Sequence, residues 1–121
     1  MSEIKASFDL TTIEGQARLF NAKNGSSKAM KDLQDGDIIE CVGIVQYPEV
    51  TDTYGKPQDV VVTVLFAEDG SSFASVSESV AKAGESLLKF VESTGLEAYR
   101  VKVVKALSRN NQEFLNLQLV M

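Results

Sequence analysis

The aromatic residues of this chain are three tyrosines and six phenylalanines, with no tryptophan. Tyr47 and Tyr54 sit seven positions apart in QYPEVTDTYGKP, a stretch that also holds both prolines, Pro48 and Pro57, and the cation Lys56. A segment this polar does not need rings for packing. A tyrosine ring can stack on a flat partner while its hydroxyl stays wet. Nucleobases stack on such rings at about 1–3 kcal/mol each, whatever their sequence. Other residues extend the set: Phe73, Phe114, the cations Arg100, Lys102 and Lys105, and Arg109, Asn110 and Asn111 in SRNNQ. Cations and amides of this kind suit phosphate contacts.

Other chemistries are disfavoured. The chain has no histidine, which removes the commonest general base and a principal transition-metal ligand. It has one cysteine, Cys41, in an apolar run, so no internal disulfide forms and a cytoplasmic setting is expected. A metal site would need carboxylates alone, and Asp52, Glu68 and Asp69 lack the spacing for one. Neither catalytic residues, a cofactor nor a metal is expected. No apolar run approaches the roughly 20 residues of a membrane span, and MSEIKASFDL does not read as a signal peptide. The net charge of −5 is a poor match to a strong phosphate binder. It is unevenly spread: residues 1–36 are neutral, 37–57 and 58–76 are each −3, 77–96 are −1 and 97–121 are +2.

These residues need a scaffold, and hydrophobic patterning supplies one. IKASFDL alternates as a short strand, and Thr11 or Thr12 caps a helical turn through IEGQARLFNA. A loop at Asn24-Gly25-Ser26-Ser27, a turn through MKDL and the Asp35-Gly36 turn follow. DIIECVGIVQY is a strand with Gly43 at its middle, the mark of a bulge or bend. QYPEVTDTYGKPQ is expected to be a long loop. VVVTVLFA is a strand buried on much of both faces, Glu68-Asp69-Gly70-Ser71 a hairpin turn, and SFASV a short strand. Ser75 and Glu78 have the spacing of a capping box. The helix they open carries Val80, Leu87, Leu88 and Val91 on one face and ends at Gly95. EAYRVKVVKAL then puts Tyr99, Val101 and Val103 on its core face, and EFLNLQLV puts Leu115, Leu117 and Leu119 there.

From residue 37 the order is strand, strand, strand, helix, strand, strand. That order predicts a mainly β, OB-fold-like chain: a five-stranded Greek-key barrel with a helix between strands three and four. Residues 1–121 are expected to form one domain, with residues 1–36 an N-terminal extension packed on the barrel core of residues 37–121. Ligand would lie over the middle strands, flanked by the loops that hold Tyr47, Tyr54 and Lys56 and Arg109, Asn110 and Asn111. Packing remains an alternative for several candidates. Tyr47 ends a strand, so both roles are open for it and for Phe73, whereas Tyr54 beside Gly55 favours ligand contact. Phe114, opposite the leucines, is either a stacking platform or part of a satellite cluster. Arg100, Lys102 and Lys105 contact phosphate or only solubilise an edge strand. Tyr99 and Cys41 read as core, and Lys23, Lys28 and Lys31, near the Asn24-Gly25-Ser26-Ser27 loop, as solvated surface, with a second phosphate contact as the alternative.

Several stretches are similar to a known family. ASFDLTTIEGQARLFNAKNG, QY…VTDTYG, FAEDGSSFASVS, LEAYRVKVV and FLNLQL together span nearly the whole chain. In order and spacing they resemble the single-stranded DNA-binding proteins of the small Bacillus phages that replicate by protein priming, and related phage proteins. The resemblance implies an abundant, non-enzymatic protein that coats strands exposed during replication, shields them from nucleases and opens weak hairpins. Tyr47, Tyr54 and Phe73 match aromatic positions of that family, Phe73 replacing a tyrosine. SRNNQ stands where the family has a glycine-rich lysine turn. The expected partner is single-stranded DNA, with replication proteins as further candidates, no membrane, and a monomer or weak oligomer in the host cytoplasm. The chain ends in LQLVM without an acidic tail, so recruitment of partners through such a tail is not expected. The competing reading is a protein-interaction barrel, a phage accessory or assembly factor with the loop tyrosines as anchors.

Overall fold

The computed structural model describes residues 4–24, 27–53, 55–107 and 113–120. It is mainly β. The strands are β1 (Lys5–Ala6), β2 (Lys28–Ala29), β3 (Ile38–Thr53), β4 (Lys56–Ala67), β5 (Ser72–Ser75), β6 (Tyr99–Leu107) and β7 (Glu113–Val120). The helices are α1 (Ile13–Lys23) and α2 (Glu78–Thr94), with a 3-10 turn at Met30–Asp32. The strand order is β2-β5-β4-β3-β6-β7, and β1 pairs with β3. The sheet curls into a half-barrel. Along the chain, β3, β4, β5, α2, β6 and β7 follow the expected sequence of elements; in the sheet, β5 pairs with β4 and takes β2 as its other partner, in parallel. Among the described residues no ladder joins β5 to β7, so the expected closure is not seen.

β3 and β4 are the backbone of the fold, because both of their faces are buried. Period-two alternation sends Ile44, Gln46, Thr63 and Leu65 to the inner face and Val45, Tyr47, Val62, Val64 and Phe66 to the outer face. The expected irregularity at Gly43 is present as a register shift between Cys41 and Gly43.

The inner face packs on α2. Val80, Leu87 and Val91 of the helix meet Ile39, Cys41, Ile44 and Leu65, then Tyr99, Val101, Val103 and Leu115 from the last strands. Leu117 packs against this core, whereas Leu119 lies exposed, lining an open cleft beside α2 on the edge strand of the sheet. Gly84 is where the helix comes closest to the sheet. A Cβ there would lie 2.6 Å from Gln46 Nε2 and 2.9 Å from Thr63 Cγ2. Gln46 Nε2 donates to the Ala81 carbonyl at 2.8 Å and to Thr63 Oγ1 at 3.1 Å, so the amide ties helix to sheet inside the core. The helix starts differently from the expected capping box. Ser77 is the N-cap, its hydroxyl accepting from the Val80 amide, while Ser75 Oγ accepts from the Ser77 amide one step earlier. Gly95 ends the helix in the left-handed region at φ 70°, as its position predicts.

The outer face packs on the N-terminal segment. Thr12 caps α1 by accepting from the Gly15 amide. The helix lays Leu19 and Ala22 over Val45, Tyr47, Val62 and Val64, and Phe8 meets Phe66 edge-on with ring centroids 5.5 Å apart. Residues 27–37 then run back along the sheet. Ser27 and Ser72 hydroxyls share a 2.8 Å hydrogen bond, and Met30 is fully buried. The Gly36 amide donates to the Val103 carbonyl and the Val103 amide donates to the Asp37 carbonyl.

Candidate nucleic-acid interface

The stretch QYPEVTDTYGKPQ is not an irregular loop. β3 continues through it to Thr53 and β4 starts at Lys56; among the described residues, beyond Gln46 and Thr63 the two strands pair only with each other, from Tyr47 opposite Val62 to Thr53 opposite Lys56. The result is a two-stranded arm standing out from the sheet. Pro48 and Pro57 fit because each arm strand has a free edge, where a missing N–H leaves no ladder position empty. Gly55, just before the start of β4, is at φ 77°. Pro48, Glu49, Val50 and Lys56 through Asp59 are exposed. From Pro48 to Val61 the arm carries three carboxylates and the single cation Lys56. It offers flat surface but little attraction for phosphate.

The sequence-nominated residues fall into separate environments. Tyr47, at the root of the arm, is only 5% exposed beneath α1. Lys23 Nζ lies 5.3 Å from its ring centre. Burial, with Glu49 beside it, pushes its phenol above the ordinary tyrosine range. Phe73 is half-buried on β5 against the inner core, with Lys28 Nζ 6.0 Å from its ring centre. Lys56 is exposed on the arm. Phe114, 39% exposed near the start of β7, lines a cleft with Lys28 and Lys31. Lys105 leans toward that region, its Nζ donating to the Lys31 carbonyl at 2.7 Å. Arg100 is held elsewhere, its Nε 3.2 Å from Glu40 Oε1 across the β3–β6 ladder. Lys102 is half-buried two positions along β6, between Ile38 and Gln118. A neighbouring cleft is lined by Asp37, Glu40, Glu68 and Asp69, charges that repel phosphate from Arg100's side. Tyr54, Arg109, Asn110 and Asn111 lie outside the described residues.

The cations that do meet rings come from the N-terminal segment. Arg18 sits 5.3 Å from the Phe8 ring and 5.8 Å from the Phe66 ring, Lys23 over Tyr47 and Lys28 over Phe73. Contacts of this type contribute roughly 0.5–1 kcal/mol at exposed sites. The sequence does carry a signal for them. Residues 15–31 hold Arg18, Lys23, Lys28 and Lys31 without a carboxylate, a run hidden when charge is summed over residues 1–36. Nearby acids are also accounted for. The Ser71 hydroxyl and amide hold the Asp69 carboxyl below its usual range, with Lys28 a smaller influence. Among the described residues no cluster of three or more carboxylate or thiol groups could hold a metal, and no helix is long and apolar enough to cross a membrane.

The whole length of this architecture matches one family. Residues 1–120 fit the model of the phage single-stranded DNA-binding protein. The chain belongs to that family. It is 44% identical to the single-stranded DNA-binding protein of Bacillus phage PZA over 116 residues, covering 96% of this chain and 94% of the relative. The figures are the same for the single-stranded DNA-binding protein of Bacillus phage phi29. The corresponding protein of Bacillus phage B103 is 42% identical over 119 residues, 98% of each chain. No solved structure matches the chain. The family extends to both ends of the curled sheet, so the arm, the N-terminal cations and the last strand all belong to the matched region.

Proposed function

We propose that this protein binds single-stranded DNA without sequence preference, by stacking bases on aromatic rings and holding phosphates with a few cations. It would protect exposed strands during phage replication in the host cytoplasm. Membership of the family across residues 1–120 is the observation that carries this reading. The geometry supports it: an exposed arm lies next to a segment whose lysines stand beside Tyr47 and Phe73. The curled sheet is read as an OB-fold-like half-barrel, the arm replacing the long loop between its first two regular strands. Residues 1–121 act as one unit in this reading, with residues 1–36 serving as both cover and cation source. Among the nominated residues, Tyr54, Lys56, Phe73, Lys105 and Phe114 are the foremost DNA contacts. Arg109, Asn110 and Asn111 are proposed to add phosphate or base-edge contacts from the sequence between β6 and β7.

Strand opening follows from mass action. A ligand that binds only the unpaired state stabilises it and so melts weak hairpins without any catalytic step. Tyrosine emission reports binding directly, because the chain has no tryptophan. Titration with oligo-dT at low salt is expected to quench it, and absence of quenching would overturn the reading. Tyr54→Ala is expected to weaken binding by about 1–3 kcal/mol with the melting curve unchanged. A second reading, a protein-contact role, is favoured by Ile13 and Phe20, 88% and 66% exposed on α1. A stable protein complex without retention on single-stranded DNA cellulose would favour it over DNA binding.

A further inference from the structure

Where the strand order ends, the sheet stays open. β2 and β5 form one end and β7 the other, and between them lies a cleft of about 560 Å³ whose lining includes Lys28, Lys31, Val62, Val76, Phe114 and Leu115. This is within the roughly 300–1,000 Å³ range of small-ligand sites. Its charge stands out in a chain of net charge −5: among the described residues the lining has two lysines and no carboxylate. The cleft beside Asp37, Glu40, Glu68 and Asp69 has four carboxylates and no cation. The open seam therefore suits an anion, and the acidic cleft rejects one.

Two further features narrow the anion to a nucleotide of a single strand. Phe114 shows part of its ring to this cleft, so a flat apolar group can cover it. A base inside a duplex has both faces stacked already, whereas an unpaired base has a face to offer. The cations are also pre-positioned. Lys28 is fixed by the β2–β5 pairing opposite Phe73, and the Lys31 backbone is held by Lys105 Nζ next to the buried Met30. At its far side the cleft reaches Val62, where the arm leaves the sheet opposite Tyr47.

We infer that the open seam between β5 and β7 is a subsite for one unpaired nucleotide, its base stacked on Phe114 and a phosphate held by Lys28 and Lys31. The strand passes from there onto the arm at Val62. The subsite rests on the single-stranded DNA reading above and adds a cation source that the arm itself lacks.

Anisotropy titrations of labelled oligo-dT at several salt concentrations test it, comparing wild type, Phe114→Ala, Phe114→Tyr and the double variant Lys28→Ala/Lys31→Ala. Phe114→Ala is expected to weaken binding about 5- to 150-fold, and Phe114→Tyr to retain it. The double lysine variant is expected to lower the slope of log affinity against log salt by about 0.7, for the one phosphate charge no longer neutralised. Unchanged affinity in Phe114→Ala overturns the stacking half, and an unchanged slope in the lysine variant overturns the phosphate half. Neither result touches DNA binding itself. If Phe114→Ala lowers the melting temperature, Phe114→Leu replaces it, keeping apolar bulk while removing the ring. Wild-type protein that fails to bind oligo-dT overturns the broader reading and the subsite together.

Discussion

The two faces of the β3–β4 ladder are buried in different ways. The inner face meets α2 through a continuous apolar core that runs from Met30 to Leu115, with one internal amide, Gln46, fully engaged. The outer face meets α1 through a smaller cluster, Ala22, Val45, Tyr47, Val62, Val64 and Phe66, bordered by half-buried Phe8 and Leu19. Cations of the N-terminal segment lie over rings at that border and at β5. The inner face is therefore a stability element, whereas the outer face trades apolar area for ring–cation contacts at the surface.

The largest expected separation between the faces is in core truncation. Leu87→Ala should destabilise by about 2–5 kcal/mol in denaturant melts, and Leu19→Ala, half-buried on the outer face, by clearly less. Equal destabilisation would erase the distinction.

The second separation is in alkaline titration. Burial pushes the Tyr99 phenol up to about 12, with nearby Ser7 drawing it back and Cys41 adding a smaller push, and the hydroxyl lies buried without a hydrogen bond of full geometry. Burial pushes the Cys41 thiol up to about 12 as well. For both groups the folded state favours the protonated form. Stability is therefore full below the unfolded pKa values, near 9 for the thiol and 10 for the phenol, and falls as pH rises toward 12. Tyr99 alone should remove roughly 2–3 kcal/mol by pH 12. Phenolate absorbance should show one tyrosine ionising only as the protein unfolds. Titration of all three tyrosines near 10 in folded protein would contradict the inner-face burial.

Gly84→Ala comes next. Its added Cβ meets a Gln46 amide that is already hydrogen-bonded and the Thr63 methyl, so helix and sheet must separate, at about 1–3 kcal/mol. Thermal melts that leave Gly84→Ala at wild-type stability would show that the helix has room to shift.

The smallest effects fall on single surface charges. Arg100→Ala removes an exposed ion pair with Glu40 and should change stability by less than about 1 kcal/mol. It should leave the salt dependence of oligo-dT binding unchanged, because its side of the sheet is acidic. Lys23→Ala, over Tyr47, should reduce the salt slope by about 0.7 if it touches a phosphate. A reversed pattern in the two variants would move the DNA path to β6.

Much of the scaffold is legible in the chain. The α2 stripe of Val80, Leu87 and Val91, the Gly95 stop, the core face of Tyr99, Val101 and Val103 and the irregularity at Gly43 all follow from local periodicity and backbone preference. The arm escapes a sequence reading because prolines and turn formers usually end strands, and a free-standing ribbon is the case in which they do not. The cap falls at Ser77 rather than Ser75 because a motif at the right spacing does not say which serine turns toward the helix.

What the sequence determined by itself was the family, the order of elements from Ile38 onward and the scarcity of cations, because these depend on residue types and near neighbours. What only the tertiary structure decided was which residues meet. Tyr47 became a covered ring because α1 docks across it, and Arg100 became a partner of Glu40 because β3 and β6 pair in that register. Lys28 and Lys31 left the category of ordinary surface because β2 pairs with β5, bringing them to the same open seam as Phe114, some eighty residues later in the chain. Contacts at that separation are set by strand register and helix docking, which no local pattern encodes.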